Sequence, residues 1–280
     1  MVRVASQTGY PMSETATQNY MRDRAAKFAL LIGIAVVTHL LYSTIVIPRA
    51  EAWREAQLEL VRTQPGYKPE RSFFVIIKDR EQQVTIIIAT WAAFLSFMQF
   101  AQARQQRKLL ESDLLRLPPG VVILPEDAQE YARRLDQLPV KERDYVVPRV
   151  LRGALKRFAT TRNVQDVSTS VHNTCETEMV RLDSELAMLR FGVWATPALG
   201  FIGTVRGIGV ALQGAELAMK GDTSAVTGGL GVSFNSTLIA LTLCLLLMYL
   251  LHEIQLAQER LVLDTERYAD DQLVARLSSR

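Results

Sequence analysis

Four long apolar stretches with almost no charge constrain this chain of 280 residues more than any other feature. A helix needs roughly 20 apolar residues to cross a bilayer core of about 30 Å, and it satisfies its own backbone polar groups there. We therefore predict an all-α integral membrane protein with four transmembrane helices. The stretches are residues 28–48, 82–103, 191–215 (interrupted by Arg206) and 223–251.

The stretches divide the chain into nine predicted segments. The first apolar stretch, at 28–48, lacks a small-residue cleavage motif at its end, so we expect a retained transmembrane helix rather than a cleaved signal peptide. The segments are an N-terminal segment 1–27, transmembrane helix 1 at 28–48, a periplasmic loop 49–83, transmembrane helix 2 at 84–103, a cytoplasmic helical domain 104–187, transmembrane helix 3 at 188–215, a short periplasmic loop 216–226, transmembrane helix 4 at 227–251 and a cytoplasmic C-terminal helix 252–280.

The side of the membrane on which each segment lies is not fixed by charge alone. The loop 49–83 carries seven Lys and Arg residues, which is a density typical of an inside loop. Arg104, Arg107 and Lys108 directly follow the second stretch, however. This cluster favours a cytoplasmic position for 104–187, and therefore long cytoplasmic helical extensions.

Apolar residues at steps of three and four predict one long helix that leads into the third transmembrane helix. We expect this stripe to pack against neighbouring helices, and the C-terminal segment to do the same through Ile254, Ala257, Leu261 and Tyr268. The stripe consists of Val164, Val167, Val171, Cys175, Met179, Leu182, Leu186 and Leu189.

Small and hydroxyl residues form a stripe on each of the last two transmembrane helices. Small residues let helices approach closely in lipid, and the hydroxyl groups either bond to their own backbone or line a polar path for ions. Both interpretations remain open from spacing alone. The stripes are Thr196, Gly200, Gly203, Gly207 and Gly214 on helix 3, and Gly229, Ser233, Thr237, Ala240 and Cys244 on helix 4.

Arg206 is the single charge inside the third stretch. Two residues correspond to a rotation of about 200° on a helix, so Arg206 and Thr204 point in nearly opposite directions. Arg206 has three possible roles: it snorkels to the headgroups, bonds across a subunit boundary, or contacts the ion route. We favour the structural, inter-helix role, with Asn235 as the candidate partner.

Other chemistry has little support in the sequence. A net charge of +3 indicates no nucleic-acid partner, and Cys175 and Cys244 form no disulfide or metal pattern. His39 lies inside the first stretch, either as a proton relay or, more commonly, as a hydrogen-bonded histidine. We find no enzyme motif and expect no cofactor or metal.

Two motifs resemble a known family. ATPALGFIGTVRGIG at 195–209 resembles the third-span signature of the MotA/TolQ/ExbB proton-channel family, and SFNSTLIAL at 233–241 is similar to its fourth-span pattern. The resemblance covers about residues 180–255, and the four-span layout resembles the flagellar-stator arrangement. Arg206 stands where many members have an aromatic residue, and Ala240 replaces a glycine. These departures leave open which ion is conducted.

The resemblance implies a homopentameric ring around a dimer of a single-span MotB/TolR/ExbD-like protein, whose intramembrane Asp carries the proton. It implies a place in the bacterial inner membrane. By the resemblance and the stripes, the site residues fall into three groups. They are Thr204, Thr237, Ser236 and Ser233 lining the pore, Gly200, Gly203, Gly207 and Gly229 packing the helices, and Arg206, Asn235 and Pro197 in structural or inter-subunit roles.

The expected function is a proton-channel subunit of an inner-membrane motor that converts ion-motive force into mechanical work. A sodium-driven stator subunit and a non-conducting membrane scaffold are the alternatives. A secondary transporter is weaker, because the chain shows no internal repeat of two related halves.

Overall fold

The structure, a computed structural model, describes residues 14–64, 67, 72–112, 114–115 and 121–278, with the backbone alone at 14–20 and 23. The first thirteen residues of the predicted N-terminal segment lie outside this range. The described residues are all-helical, as predicted. The helices are α1 (Glu14–Leu41), α2 (Ile47–Thr63), α3 (Phe73–Ile77), α4 (Arg80–Leu110), α5 (Ala128–Asp136), α6 (Val140–Arg143), α7 (Val146–Thr161), α8 (Val164–Glu185), α9 (Ala187–Gln213), α10 (Ala215–Met219) and α11 (Ser224–Gln272).

Four helical stretches within the described residues are long and apolar enough to cross a membrane. They cover the four stretches expected from the sequence except for Gly214, Ala215 and Thr223. The helices extend well beyond the apolar segments, because the flanking sequences are rich in good helix formers such as Ala, Glu, Gln, Leu and Arg. The candidate spans are Arg24–Thr63, Arg80–Leu110, Val164–Gln213 and Ser224–Arg276.

The first of these stretches contains one turn of π-helix, at Tyr42–Val46, between α1 and α2. Pro48 lies at the start of α2 and has no backbone N–H to donate. The helix then continues to Thr63, through residues that the sequence analysis placed in the loop after the first transmembrane helix. A π turn inserts one extra residue and is common at functional sites.

Contacts divide the chain into two compact units. The first combines the described residues of Met1–Trp91 with Thr196–Leu241. Within it, Trp91 Nε1 donates to the Lys27 carbonyl at 3.0 Å, which connects α4 to α1. Gln83 Nε2 lies 3.0 Å from His39 Nδ1, so this intramembrane histidine has a hydrogen-bonded neighbour.

The second unit combines Ala92–Ala195 with Thr242–Arg280. Its core lies among α5, α7, α8 and the C-terminal part of α11. The apolar stripe expected on α8 packs into this core, and so do Leu261 and Tyr268 of the C-terminal segment. The largest fully buried side chains of this core are Phe158, Ile123, Leu135, Leu151, Leu155, Leu261 and Leu273.

The start of α8 is fixed by local chemistry. Asn163 is the N-cap, and its side-chain oxygen accepts a hydrogen bond from the backbone N–H of Gln165 at 2.9 Å. Arg162, directly before it, ends α7 in the left-handed conformation at φ 52°. The chain therefore reverses between α7 and α8 within two residues and packs the two helices together.

One acidic side chain, Glu178, is buried on α8 beside the apolar stripe that the sequence predicted. The side chain of Glu178 is 4% exposed, and it accepts hydrogen bonds from Arg149 Nη1 at 2.7 Å and from Arg181 Nε at 2.9 Å. A buried carboxylate costs free energy unless it is paired and hydrogen-bonded. The two guanidinium groups meet that requirement, one from α7 and one from the next turn of α8.

Candidate functional site

The contact between α9 and α11 is made at glycines, within the first unit. A Cβ atom at Gly200 would lie 2.5 Å from the Cβ of Ala240, and one at Gly203 would lie 2.5 Å from the Cβ of Ser236. Real Cβ contacts are essentially never this short. The glycines that the sequence placed on one stripe therefore lie where α11 leaves no room for a side chain.

The approach is closest at Gly207 and Gly229. A Cβ at Gly207 would lie 2.6 Å from the carbonyl oxygen of Gly229, and one at Gly229 would lie 2.5 Å from the backbone nitrogen of Ala211. These neighbours are backbone atoms, which cannot move aside as a flexible side chain can. The two helices are packed here with backbone against backbone, as in close helix pairs of membrane proteins.

Two threonine hydroxyl groups meet in this contact. Thr204 Oγ1 donates to the Gly200 carbonyl at 3.0 Å, and it is also hydrogen-bonded to Thr237 Oγ1. Because the Thr204 hydroxyl group donates its single hydrogen to the Gly200 carbonyl, Thr237 is the donor in the bond between the two hydroxyl groups. Both threonines are partly exposed. The pair therefore offers oxygen lone pairs, rather than O–H donors, to a group outside the chain.

The two serines predicted beside these threonines are buried. Ser233 and Ser236 are each 2% exposed. Ser233 Oγ donates to the Thr204 carbonyl at 2.9 Å and also lies 3.3 Å from the Gly229 carbonyl. Ser236 faces Gly203, and its hydroxyl oxygen has no hydrogen-bond partner. The structure thus places the four predicted pore residues in two settings, two at the surface of the contact and two inside it.

Arg206 forms an ion pair with Glu81, at the first turn of α4. Arg206 Nε lies 2.7 Å from Glu81 Oε1, and the two side chains are 47% and 14% exposed. The candidate partner from the sequence was Asn235, which is partly exposed on α11. Within this chain the partner of Arg206 is therefore Glu81 of α4. Asn235 and the Thr204 partner Thr237 both lie on α11 instead.

Pro197 lies inside α9 and cannot donate a hydrogen bond to the carbonyl of Val193, four residues earlier. Cys244 Sγ donates to that carbonyl at 3.5 Å. The thiol, which the sequence placed at the end of the hydroxyl stripe, thus satisfies the carbonyl that the proline leaves free.

Sequence reasoning missed Glu81. The second apolar stretch was delimited by the absence of charge, so its first residue was Gln82 and the acid next to it was assigned to the loop. Thr85 Oγ1 donates to the backbone carbonyl of Glu81 at 2.7 Å, which places Glu81 inside the helix. An acid within one turn of an apolar stretch, with an unexplained arginine elsewhere, is the pattern that would have indicated it.

Comparison with protein families gives a match over the C-terminal part of the chain. Residues 142–267 match the model of the MotA/TolQ/ExbB proton channel family. No curated protein and no solved structure matches the chain. The matched residues include the whole of α8 and α9, most of α11, and both motifs quoted from the sequence.

Proposed function

We propose that this chain, in which residues 142–267 match the model of the MotA/TolQ/ExbB proton channel family, is a member of that family and a proton-conducting subunit of a motor in the bacterial inner membrane. It is a multi-pass membrane protein. The proposal includes a homopentamer around a dimer of a MotB/TolR/ExbD-like protein with an intramembrane Asp. The observation that carries it is the Thr204–Thr237 hydroxyl pair in a contact otherwise built from small residues.

The chemistry of that pair suits a carboxyl group that gains and loses a proton. Thr204 and Thr237 present lone pairs, because Thr204 donates its hydrogen to the Gly200 carbonyl and Thr237 donates its hydrogen to Thr204. A protonated Asp can donate to such an oxygen, whereas an ionised Asp cannot. Neutral hydroxyl groups also avoid the large desolvation cost of a fixed charge in lipid. The pair therefore favours the protonated form of the partner's carboxyl group.

The test replaces Thr237 with Val, which keeps the volume and removes the hydroxyl group. The full chain is purified with its single-span partner and reconstituted in liposomes, and proton uptake is followed with a pH-sensitive dye. We expect about a tenfold loss of flux, since one hydrogen bond of about 1–1.5 kcal/mol is removed from the conducting state. Thr227→Val is the matched control, because Thr227 is exposed on the same helix and its hydroxyl group bonds to the backbone carbonyls of Thr223 and Ser224.

The same measurement separates the alternatives. A non-conducting scaffold would give the same rate of proton uptake for wild type and Thr237→Val, and that outcome would overturn the proposal. A sodium-driven subunit would show flux with a sodium-sensitive dye and none with the pH dye. Subunit counting by native mass spectrometry tests the ring, with five copies of this chain and two of the partner expected.

A further inference from the structure

We propose that α3, the short helix before α4, is a membrane-surface anchor whose Phe73 side chain enters the boundary between the lipid headgroups and the acyl chains. The occupant of this surface is the phospholipid layer on the side of the connection between α2 and α4. The proposal goes beyond the function above, because it involves neither the α9–α11 contact nor a partner protein.

The composition of α3 does not suit water. Its five residues, FFVII, are all apolar, and the helix is far too short to cross a membrane. Phe73 is 65% exposed, and its ring lies edge-on to the ring of Phe74, with 6.3 Å between the two centroids. An aromatic side chain left in water forgoes the free energy of its burial, whereas such residues are typical of segments that lie in the membrane interface.

The packing of α3 gives its depth relative to the apolar stretches. Ile77 forms a buried cluster with Tyr42 and Val46, and Ile86 of α4 packs against this cluster. Val46 lies two residues before the end of the first stretch, and Ile86 lies four residues after the start of the second. At roughly 1.5 Å per residue, these positions are about 3 and 6 Å inside the apolar stretches. The C-terminal end of α3 therefore lies where the acyl chains begin.

Arg49 marks the same boundary on α2. It is the first charged residue after the first apolar stretch, and its guanidinium carbon lies 5.3 Å from the centroid of the Phe74 ring. A guanidinium over an aromatic face is attracted by the ring electrons. This contact holds the second ring of α3 at the level where the chain leaves the apolar layer.

The charges around α3 suit a phospholipid surface. Basic side chains near the ends of transmembrane helices are attracted to phosphate groups, and they keep their charge in the headgroup layer. Arg80 is exposed and forms no ion pair with any residue that the structure describes, and Glu81 is already paired with Arg206. The cations at this level are Arg49, Lys78, Arg80 and Arg206, and the acids are Asp79 and Glu81.

The experiment measures the depth of residue 73 with a nitroxide label on the full chain in lipid nanodiscs. Phe73→Cys is made in a Cys244→Ser background, in which the remaining Cys175 is buried and unreactive. Collisions of the nitroxide with oxygen, which concentrates among acyl chains, are compared with its collisions with a water-soluble nickel chelate. The ratio of the two collision rates rises with depth in the membrane.

Two equally exposed positions give the reference values for this ratio. Val140→Cys, at a site 70% exposed in the polar segment 104–187, gives the value for water. Phe201→Cys, at a site 61% exposed in the third apolar stretch, gives the value for lipid. We expect the ratio at residue 73 to be several-fold higher than at residue 140 and closer to that at residue 201.

A second label position covers the case in which Phe73→Cys does not fold. Ser72→Cys keeps all five apolar side chains of α3, and its ratio should lie between those of Val140→Cys and Phe201→Cys. A ratio at residue 73 or 72 equal to that of Val140→Cys would place α3 in water and overturn the proposal. Low collision rates with both reagents at residue 73 would mean that a second copy of the chain covers α3, which would also overturn it.

The readout needs neither the single-span partner nor ion flux. A chain that proved to be a scaffold could still hold α3 in the membrane surface, and a conducting channel could hold it in water. Failure of this inference is therefore distinguishable from failure of the proposed function.

Discussion

Gly207 shows how much one side chain decides in the α9–α11 contact. Its neighbours are the Gly229 carbonyl oxygen and the Ser233 nitrogen, each 2.6 Å from the position of an added Cβ. Gly209, two residues later on the same helix, has nothing within 4 Å of that position. Two glycines of one helix thus differ completely in what a methyl group would meet.

Replacement of Gly207 with Ala should lower the stability of the chain by about 2 kcal/mol, because the backbones of α9 and α11 must separate. Gly209→Ala, the matched control, should cause no loss, since alanine is the better helix former and the space is open. The measurement is thermal unfolding of the purified variants in detergent. Equal stabilities of Gly207→Ala and Gly209→Ala would contradict the close packing described here.

Ser236 and Thr237 make the same point for polar residues. They are adjacent in sequence, but a step of about 100° on the helix gives them different surroundings. Thr237 is partly exposed and bonds to Thr204, whereas Ser236 is buried against Gly203. Two neighbouring hydroxyl groups of one uncharged helix segment therefore differ in setting, one paired with another hydroxyl group and one buried without a hydrogen-bond partner.

At the scale of elements, α8 and α11 are joined in the second unit by a histidine–carboxylate pair. His172 Nδ1 lies 2.8 Å from Glu266 Oε1, and Glu176, one turn along α8, lies 3.7 Å from Nε2. The hydrogen bond to Glu266, followed by the charges of Glu266 and Glu176, raises the pKa of His172 above its usual value of 6.5. The protonated histidine is thus favoured in the folded chain.

This pair should make stability depend on pH. A raised pKa in the folded state means that the contribution is full below about pH 6.5, where the unfolded histidine is also protonated, and is lost as pH rises through the folded pKa. His172→Gln should therefore be less stable than wild type below pH 6.5 and equal to it in alkaline solution, as measured by thermal unfolding. Glu266→Gln should remove the same pH dependence. A difference between wild type and His172→Gln that stays constant with pH would show that the pair does not act in this way.

At the scale of the whole molecule, one buried thiol reports on opening of the second unit. Cys175 is 2% exposed in the core formed by α5, α7, α8 and α11. Burial raises its pKa to about 12 from 9.0, with further contributions from the carboxylates of Glu266, Asp270 and Glu178. Because the thiolate is the reactive form, the native thiol should be nearly inert.

In a Cys244→Ser variant, Cys175 is the only thiol of the chain. Its reaction with a maleimide at neutral pH should be much slower than that of a free thiol, because burial raises the pKa of the thiol to about 12 and keeps the reagent away. It should accelerate in parallel with unfolding, because the unit must open to admit the reagent. Labelling of the native protein at the rate of a small free thiol would contradict this burial.

The sequence by itself determined the features that repeat along one helix. Length and the absence of charge define the four apolar stretches, and the period of 3.6 residues places Gly200, Gly203 and Gly207 on one stripe. The buried stripe of α8 follows from the same period. These patterns are local, since each depends only on residues a few positions apart.

The tertiary structure alone decided which residues meet across helices. Arg206 pairs with Glu81 from another helix rather than with Asn235, and Glu178 is buried because Arg149 of α7 reaches it. The hydroxyl groups of Ser236 and Thr237 look alike in sequence but differ in burial. The physical reason is that periodicity specifies which face of a helix a residue occupies, whereas the partner on that face depends on how distant segments pack.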